Sequence, residues 1–165
     1  MTGKKSKQTR YLEAAMRAIS EDTETYEAGG LSGTLFNLTD GEIWVNKDDQ
    51  YIKARLDGAH QTCIRISKPS HTSQGVTGSR YNFIEESQLM IQIDAISRYS
   101  EEYCDDLIRI LEGKFLSAIE HVVDGTNIYL DVDRLEVKDS YKDVDLEASH
   151  SVLTLYGHFR GSVAT

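Results

Sequence analysis

The 165-residue chain contains one proline, Pro69, and two cysteines, Cys63 and Cys104. The cysteines lie far apart, without C-x-x-C spacing, and each sits in an apolar pattern. A disulfide framework is therefore not indicated, and both are expected to be buried, reduced thiols of a cytosolic protein. Basic residues are also scarce: 18 Lys and Arg against 27 Asp and Glu give a formal net charge of -9 and an isoelectric point near 5.0. That balance disfavours tight nonspecific DNA binding, which needs a basic footprint, and argues against docking on an anionic membrane, so neither specific nucleic-acid binding nor a membrane partner is expected. No apolar run approaches the ~20 residues that span a bilayer. The basic start, MTGKKSKQTR, lacks a following apolar segment, so no signal peptide is indicated and a soluble protein used without export is expected. No repeat or low-complexity tract is present.

One domain is expected over residues 1–165. Residues 1–8 read as a flexible basic arm, followed by a short amphipathic helix over about 8–20 that carries Tyr11, Leu12, Ala15, Met16 and Ile19. Residues 26–59 read as an irregular region containing Gly29, Gly30 and Gly33, in which EIWV and QYIKARL form short strands. TCIRIS alternates and predicts a strand, as does EESQLMIQIDAISR, where Leu89, Ile91, Ile93 and Ala95 share one face and Gln92, Asp94 and Ile96 the other. From Ser100 as N-cap, an apolar stripe through Cys104, Leu107, Ile108, Leu111, Phe115, Ile119 and Val122 predicts one long helix stopped at Gly125. Two further strands follow, the first with a bulge near Asp133 and Arg134, where the apolar parity switches. The expected class is α+β: a small antiparallel sheet with the long helix on one face and a short N-terminal helix, in α-β-β-α-β-β order.

Between Asp57 and Glu85 lies a 27-residue stretch without an acid, unusual in so acidic a chain. It holds Arg65, Lys68, His71, Arg80 and Tyr81, and residues 68–82 read as a protruding hairpin loop. Closing a shorter hairpin costs little, so deleting residues 70–79 is expected to leave the fold intact. The GVTGSR within it does not make a phosphate cradle, because no lysine follows the second glycine and a strand, not a helix, comes next. DVDRLEVKDSYKDVD fails as a calcium loop, with Leu135, Glu136 and Lys142 where a ligand, a glycine and a glutamate are needed. The histidines His60, His71, His121, His150 and His158 have no metal-binding spacing, and surface or helix-cap positions are expected, with His121 near a helix C-terminus. No serine lies in G-x-S-x-G, and neighbouring Glu85 and Glu86 point to opposite faces of a strand. The pattern indicates no enzyme, no metal and no cofactor.

The segments TCIRIS, EESQLMIQIDAISR, YCDDLIRILEGKFLSAIEHV, NIYLDVDRLEVKD and SVLTLYGHFRG, in that order and spacing, resemble the tail terminator proteins of long-tailed bacteriophages. The resemblance implies a structural virion protein that forms a homo-oligomer, a hexameric ring, on the head-proximal end of the tail tube. It implies that the ring ends tube polymerisation and offers a surface to a head connector or head-completion protein. The partners implied are further copies of the chain, the tail tube protein and the head side. DNA would pass through the ring without sticking, repelled by the acidic surface. Synthesis would be in the host cytoplasm and the final location the virion tail. Within that picture Arg65, Lys68, His71, Arg80 and Tyr81 belong to an assembly loop. Two alternatives stand beside it: another phage neck or head-completion protein, and a non-catalytic α+β binding module with an apolar pocket.

Overall fold

The computed structural model of the chain describes residues 7–20, 25–28, 31–34, 43–58, 61–78, 82–116, 119–123 and 126–164. The basic arm, residues 1–8, falls outside this set apart from its last two positions. The elements in chain order are α1 (Lys7–Ser20), β1 (Thr25–Ala28), β2 (Leu31–Thr34), β3 (Ile43–Val45), α2 (Asp49–Asp57), β4 (Thr62–Gly78), β5 (Asn82–Ser97), α3 (Glu101–Lys114), β6 (Ile119–Val123), β7 (Thr126–Asp143) and β8 (Ala148–Ala164).

The class is α+β. Six strands form one sheet in the order β3-β4-β5-β8-β7-β6, and β1 and β2 form a separate antiparallel pair. The main sheet is not wholly antiparallel, because β3 joins it parallel to β4, with Trp44 opposite Arg65. Four long strands make its centre. β5 pairs with β8 from Asn82↔Ala164 to Ser97↔Ser149 without a register shift. β7 pairs with β8 and shifts register between Val132 and Arg134, where the change in apolar parity predicts a bulge.

One sheet face carries the main core. Ile64, Ile66, Ile91, Ile93, Ala95, Leu153 and Leu155 are buried against Leu12, Ala15 and Ile19 of α1 and Leu107, Ile108 and Leu111 of α3. These strand residues share one parity, as half-buried strands require. The Ser100 side chain caps α3 by accepting from the Tyr103 N–H, and Glu101 and Glu102 occupy the positive end of the helix dipole.

Three expectations are corrected. The helix predicted to run to Gly125 ends at Lys114, with Phe115 as C-cap, and Ile119–Val123 is a strand paired with β7. Gly113 weakens the helix just before this point. Beyond it the β-branched Ile119, Val122 and Val123 suit a ladder, and Asp124-Gly125 is a dipeptide that favours tight hairpins. His121 accordingly lies in β6, opposite Ile128, and not at a helix end.

The second correction concerns residues 26–59, whose described residues hold most of β1 together with β2, β3 and α2. EIWV supplies β3, but QYIKARL is helical. Ile52 and Leu56 fit either period, since residues four apart share a face in both a helix and a strand. Asp48 decides the outcome: its side chain accepts from the Tyr51 N–H at 2.8 Å and caps α2.

The third correction is to the sheet itself, which is buried on both sides at one end. Ile52 and Leu56 of α2 pack with Cys63, Ile96, Ala148 and Leu146 on the face opposite α1 and α3, with Trp44 and Tyr51 partly buried alongside. Fully burying two such aliphatic side chains stabilises the fold by about 3–6 kcal/mol, which is enough to hold a 9-residue helix that would not persist alone.

Candidate functional site

The acid-free segment is strand over most of its length. β4 continues to Gly78 and β5 starts at Asn82, with pairs from His71↔Leu89 to Gly78↔Phe83. Over its described residues, 68–78 and Asn82, the loop expected at 68–82 is therefore a β-ladder with register shifts between Ser67 and Ser70 and between Gly75 and Thr77. Pro69 falls inside the first shift, the kind of place where a strand tolerates a residue lacking an N–H. Lys68 also lies in that shift, and His71 is on the ladder itself. Arg80 and Tyr81 lie outside the described residues. Deleting residues 70–79 would consequently remove ladder pairs and not merely shorten a loop.

Of the five predicted residues, Arg65 has a described side chain, and it turns inward to a buried polar network. Arg65 and Asp94 are direct cross-strand partners on β4 and β5, and the Arg65 Nε–H donates to Asp94 Oδ2 at 2.9 Å. The other end of the guanidinium pairs with Asp49 in the first turn of α2 and reaches the Lys47 carbonyl at 3.4 Å. Asp94 Oδ1 accepts from Gln92 Nε2 at 2.9 Å and from His150 Nε2 at 3.0 Å. On the far side of the imidazole, Nδ1 lies 3.1 Å from Asp143 Oδ2 and 3.0 Å from the Tyr141 hydroxyl. The Tyr141 ring stacks on the imidazole at 5.1 Å between centroids, and Lys138 Nζ sits 4.7 Å from the Tyr141 ring centre.

The network is deeply placed. The Asp94 side chain is fully inaccessible and that of His150 6% exposed, so His150 is not the surface histidine expected from the sequence. Both imidazole nitrogens face carboxylate oxygens, which have no proton to give, an arrangement that favours the imidazolium. Burial alone would lower the His150 pKa, but hydrogen bonds to Asp94 and Asp143 and the Asp94 charge outweigh it, and His150 titrates above its ordinary value. Burial would likewise raise Asp94. Hydrogen bonds from His150 and Gln92 and the charges of His150 and Arg65 hold its carboxyl below the usual range instead. Asp143 is also lowered: burial opposes, while hydrogen bonds from His150 and the Leu146 and Asp145 N–H groups prevail. Burial raises the Tyr141 phenol, helped by the charges of Asp143, Asp94 and Asp49.

This geometry binds elements of the fold together. A general base needs a nitrogen lone pair aimed at a substrate, and both His150 nitrogens are engaged internally. Asp143 extends the network into the turn after β7, its Oδ1 accepting from the Asp145 and Leu146 N–H groups at 3.1 Å each. Arg98 joins the same turn to α2, donating to Asp57 at 2.6 Å and approaching the Leu146 carbonyl at 3.4 Å. The network thus connects α2, β4, β5, β7, β8 and the 144–147 turn.

Elsewhere, Asp105 of α3 clasps the second irregularity of β7, accepting from the Ser140 N–H at 2.6 Å and the Ser140 hydroxyl at 3.0 Å. Both cysteines are buried and neither is in a disulfide. Burial pushes the Cys104 thiol up to about 12, and its Sγ lies 3.4 and 3.3 Å from the Ala95 and Ser149 carbonyls, so it is no nucleophile. A cleft of about 410 Å³ lies at the start of α3 beside Arg98, Lys142 and Glu147. Another, of about 370 Å³, lies between Phe115 and Leu116 and the β7 bulge at Asp133. Among the described residues no cluster of three or more His, Cys, Asp or Glu side chains is arranged to hold a metal, and no helix is long and apolar enough to cross a membrane.

Sequence reasoning missed Asp94, His150, Asp143, Tyr141 and Asp49. One signal for them existed: an acid in the apolar run IQIDAIS and a base in CIRIS, on strands expected to be neighbours. Comparison with protein-family models and with curated proteins finds no match to this chain.

Proposed function

We propose that this chain is a ring-forming structural subunit of the tail-terminator type. In this reading a hexamer caps the head-proximal end of a phage tail tube, ends tube growth and receives the head connector or a head-completion protein. The observation that carries the reading is the disproportion between strands and helices. β5 has 16 residues and α3 has 14, which at about 3.3 Å per strand residue and 1.5 Å per helical residue makes roughly 50 Å of strand against 20 Å of helix. The β4–β5 and β7–β8 hairpins therefore outrun any single helix packed on them and offer long surfaces to neighbouring subunits.

The sequence of the β4–β5 hairpin suits such contacts. Its first strand draws on the acid-free segment with Lys68 and His71, while the chain as a whole carries -9. Copies of the chain would meet with the basic strand of one against acidic surface of the next. Such a contact is heterologous, and it closes into a ring when the rotation between copies divides a full turn. The acidic remainder would let DNA through the lumen unbound.

Light scattering on a size-exclusion column, with electron microscopy of tail tubes mixed with the protein, tests this. The expected result is a single ring species that decorates one tube end. A protein that stays monomeric at micromolar concentration and leaves tubes uncapped overturns the reading. A variant lacking residues 72–88, closed by a two-residue Asn-Gly turn, is expected to keep the helical signal but lose the ring.

A further inference from the structure

The imidazole of His150 has two alternative partners at one nitrogen. In the imidazolium state Nδ1–H donates, and the charged acceptor in reach is Asp143 Oδ2, 3.1 Å away, while the Tyr141 oxygen, 3.0 Å away, can only accept. When the ring loses a proton, keeping Nε2–H preserves the fully buried bond to Asp94. The bare Nδ1 then faces a carboxylate that also has no proton. Among the described residues Tyr141 is the one group in reach able to supply one, by turning its hydroxyl to donate to Nδ1. Asp143 is left without its partner in that state.

We propose that His150, Tyr141 and Asp143 form a two-position hydrogen-bond switch that fastens the 144–147 turn, and through it α2, to the sheet when the imidazole is charged and loosens both when it is neutral. Asp143 Oδ1 holds the Asp145 and Leu146 N–H groups. Leu146 is 1% exposed and packs with Ile52 and Leu56 of α2. Freeing Oδ2 removes the charge-assisted bond that orients this carboxylate, and carboxylate, turn, Leu146 and α2 lie in one line of contact. Glu147 in the same turn holds a left-handed backbone at φ 53, a conformation unfavourable for a residue with a Cβ. The turn therefore opens at less cost than a relaxed one.

Every charged group around the ring bears on the switch. Asp94 of β5 and Asp143 of β7 favour the imidazolium, and Arg65 of β4 opposes it. Asp49 of α2 pairs with Arg65 and offsets part of that opposition. Lys138 Nζ lies over the Tyr141 ring. Arg98 bridges the turn and α2 through Asp57 and the Leu146 carbonyl, so it keeps the loosened state attached. The device is independent of the ring-forming reading, since it lies within one chain.

The full-length protein reports on the switch directly. Trp44 is the single tryptophan. It packs on the α2 cluster, with its ring 4.9 Å from that of Tyr51. Trp44 fluorescence and amide exchange at Leu146, Ile52 and Leu56, followed as pH rises above the ordinary imidazole value, should show one transition with unchanged far-ultraviolet circular dichroism. Exchange at those amides should rise several-fold beyond its intrinsic pH dependence, while exchange at Ile93 and Leu153 should not. In Tyr141→Phe the neutral ring loses its donor, so the transition should move to higher pH. In His150→Gln it should vanish. Imidazole nitrogen NMR should find the neutral ring protonated at Nε2. Three results would each overturn the proposal: a neutral ring protonated at Nδ1, a transition unmoved in Tyr141→Phe, or exchange at Leu146 indifferent to pH. If His150→Gln does not fold, the Tyr141→Phe shift and the tautomer still decide.

Discussion

Replacing Asp94 by alanine removes the buried carboxylate on which three donors converge. Arg65 Nε at 2.9 Å, Gln92 Nε2 at 2.9 Å and His150 Nε2 at 3.0 Å all lose their acceptor. Removing one partner of a buried ion pair costs about 3–5 kcal/mol, because the other charge remains buried and uncompensated. Two features pull the cost here toward the lower end. Arg65 keeps Asp49, whose side chain is 60% exposed and brings solvent near. His150 can escape by losing its proton. Roughly 3–4 kcal/mol is therefore expected, and at about 2–4 °C per kcal/mol for a domain of this size the midpoint should fall by about 6–16 °C.

The same reasoning predicts a contrast. In a double variant, Arg65→Met with Asp94→Leu, both charges go together and similar volume returns. Apolar replacement of a whole buried pair is often neutral or stabilising, so the double variant should be more stable than Asp94→Ala alone. Thermal and urea unfolding of the two, at a pH where His150 is neutral in both, separates the cases. If Asp94→Ala costs under about 1 kcal/mol, the pair behaves as an exposed one and the buried-network argument fails. If the double variant is the less stable of the two, uncompensated charge is not what makes the single one costly.

Other substitutions probe different parts of the fold. Gly113→Ala should stabilise by about 0.5–1 kcal/mol, since a Cβ there meets nothing within 4 Å in the last turns of α3; a loss in chemical denaturation would mean that the glycine has a role the helix does not reveal. Asp105→Ala strips both hydrogen bonds from Ser140 and should cost about 1–3 kcal/mol, with faster amide exchange at Ser140 as its local signature. Stability should also pass through a maximum with pH. His150 is raised, so its contribution is complete below about 6.5, its unfolded value, and is lost as pH climbs through the folded value. Asp94 and Asp143 are lowered, so their contribution is complete above about 3.9 and is lost as pH falls through their folded values. Urea midpoints measured across that range should peak on the mildly acidic side of neutrality, and a flat profile in wild type would contradict the network's protonation.

Where a segment obeys a single period, the fold was legible. α1, the inward parity of Ile91, Ile93 and Ala95, the Ser100 cap and the β7 bulge follow from local pattern, and each occurs. The misreadings come from segments that satisfy two periods at once. Ile52 and Leu56 fit helix and strand alike, and Phe115, Ile119 and Val122 continue a helical stripe although the chain turns into β6 after Lys114. Residues 68–78 show little apolar alternation, so nothing local distinguishes a polar strand from a loop, and pairing with β5 decides. The polar network was invisible for another reason. Asp94 and His150 read as solvent-facing because their parity opposes the helices. That inference assumes the second face is open, whereas α2 covers it.

A buried network of this cost has a use in the long hairpins. Along residues 70–75 and 85–89 the β4–β5 ladder joins mainly polar or small side chains, a composition that specifies register weakly. The two register shifts of this ladder flank that section. At the base, Arg65 opposite Asp94 fixes the alignment. A slip of one residue would turn Asp94 toward Leu107 and Ile108 and carry Ile93 out of the main core, exchanging a matched pair for an unpaired charge in an apolar layer. Hydrophobic residues at both positions would stabilise either alignment, whereas the ion pair stabilises one, which is the best-attested use of buried charge. For hairpins that outrun their helices, an error at the base would shift every contact residue along the strand to the wrong face. The ion pair at Arg65 and Asp94 therefore links the buried end of the sheet to the surface proposed for assembly.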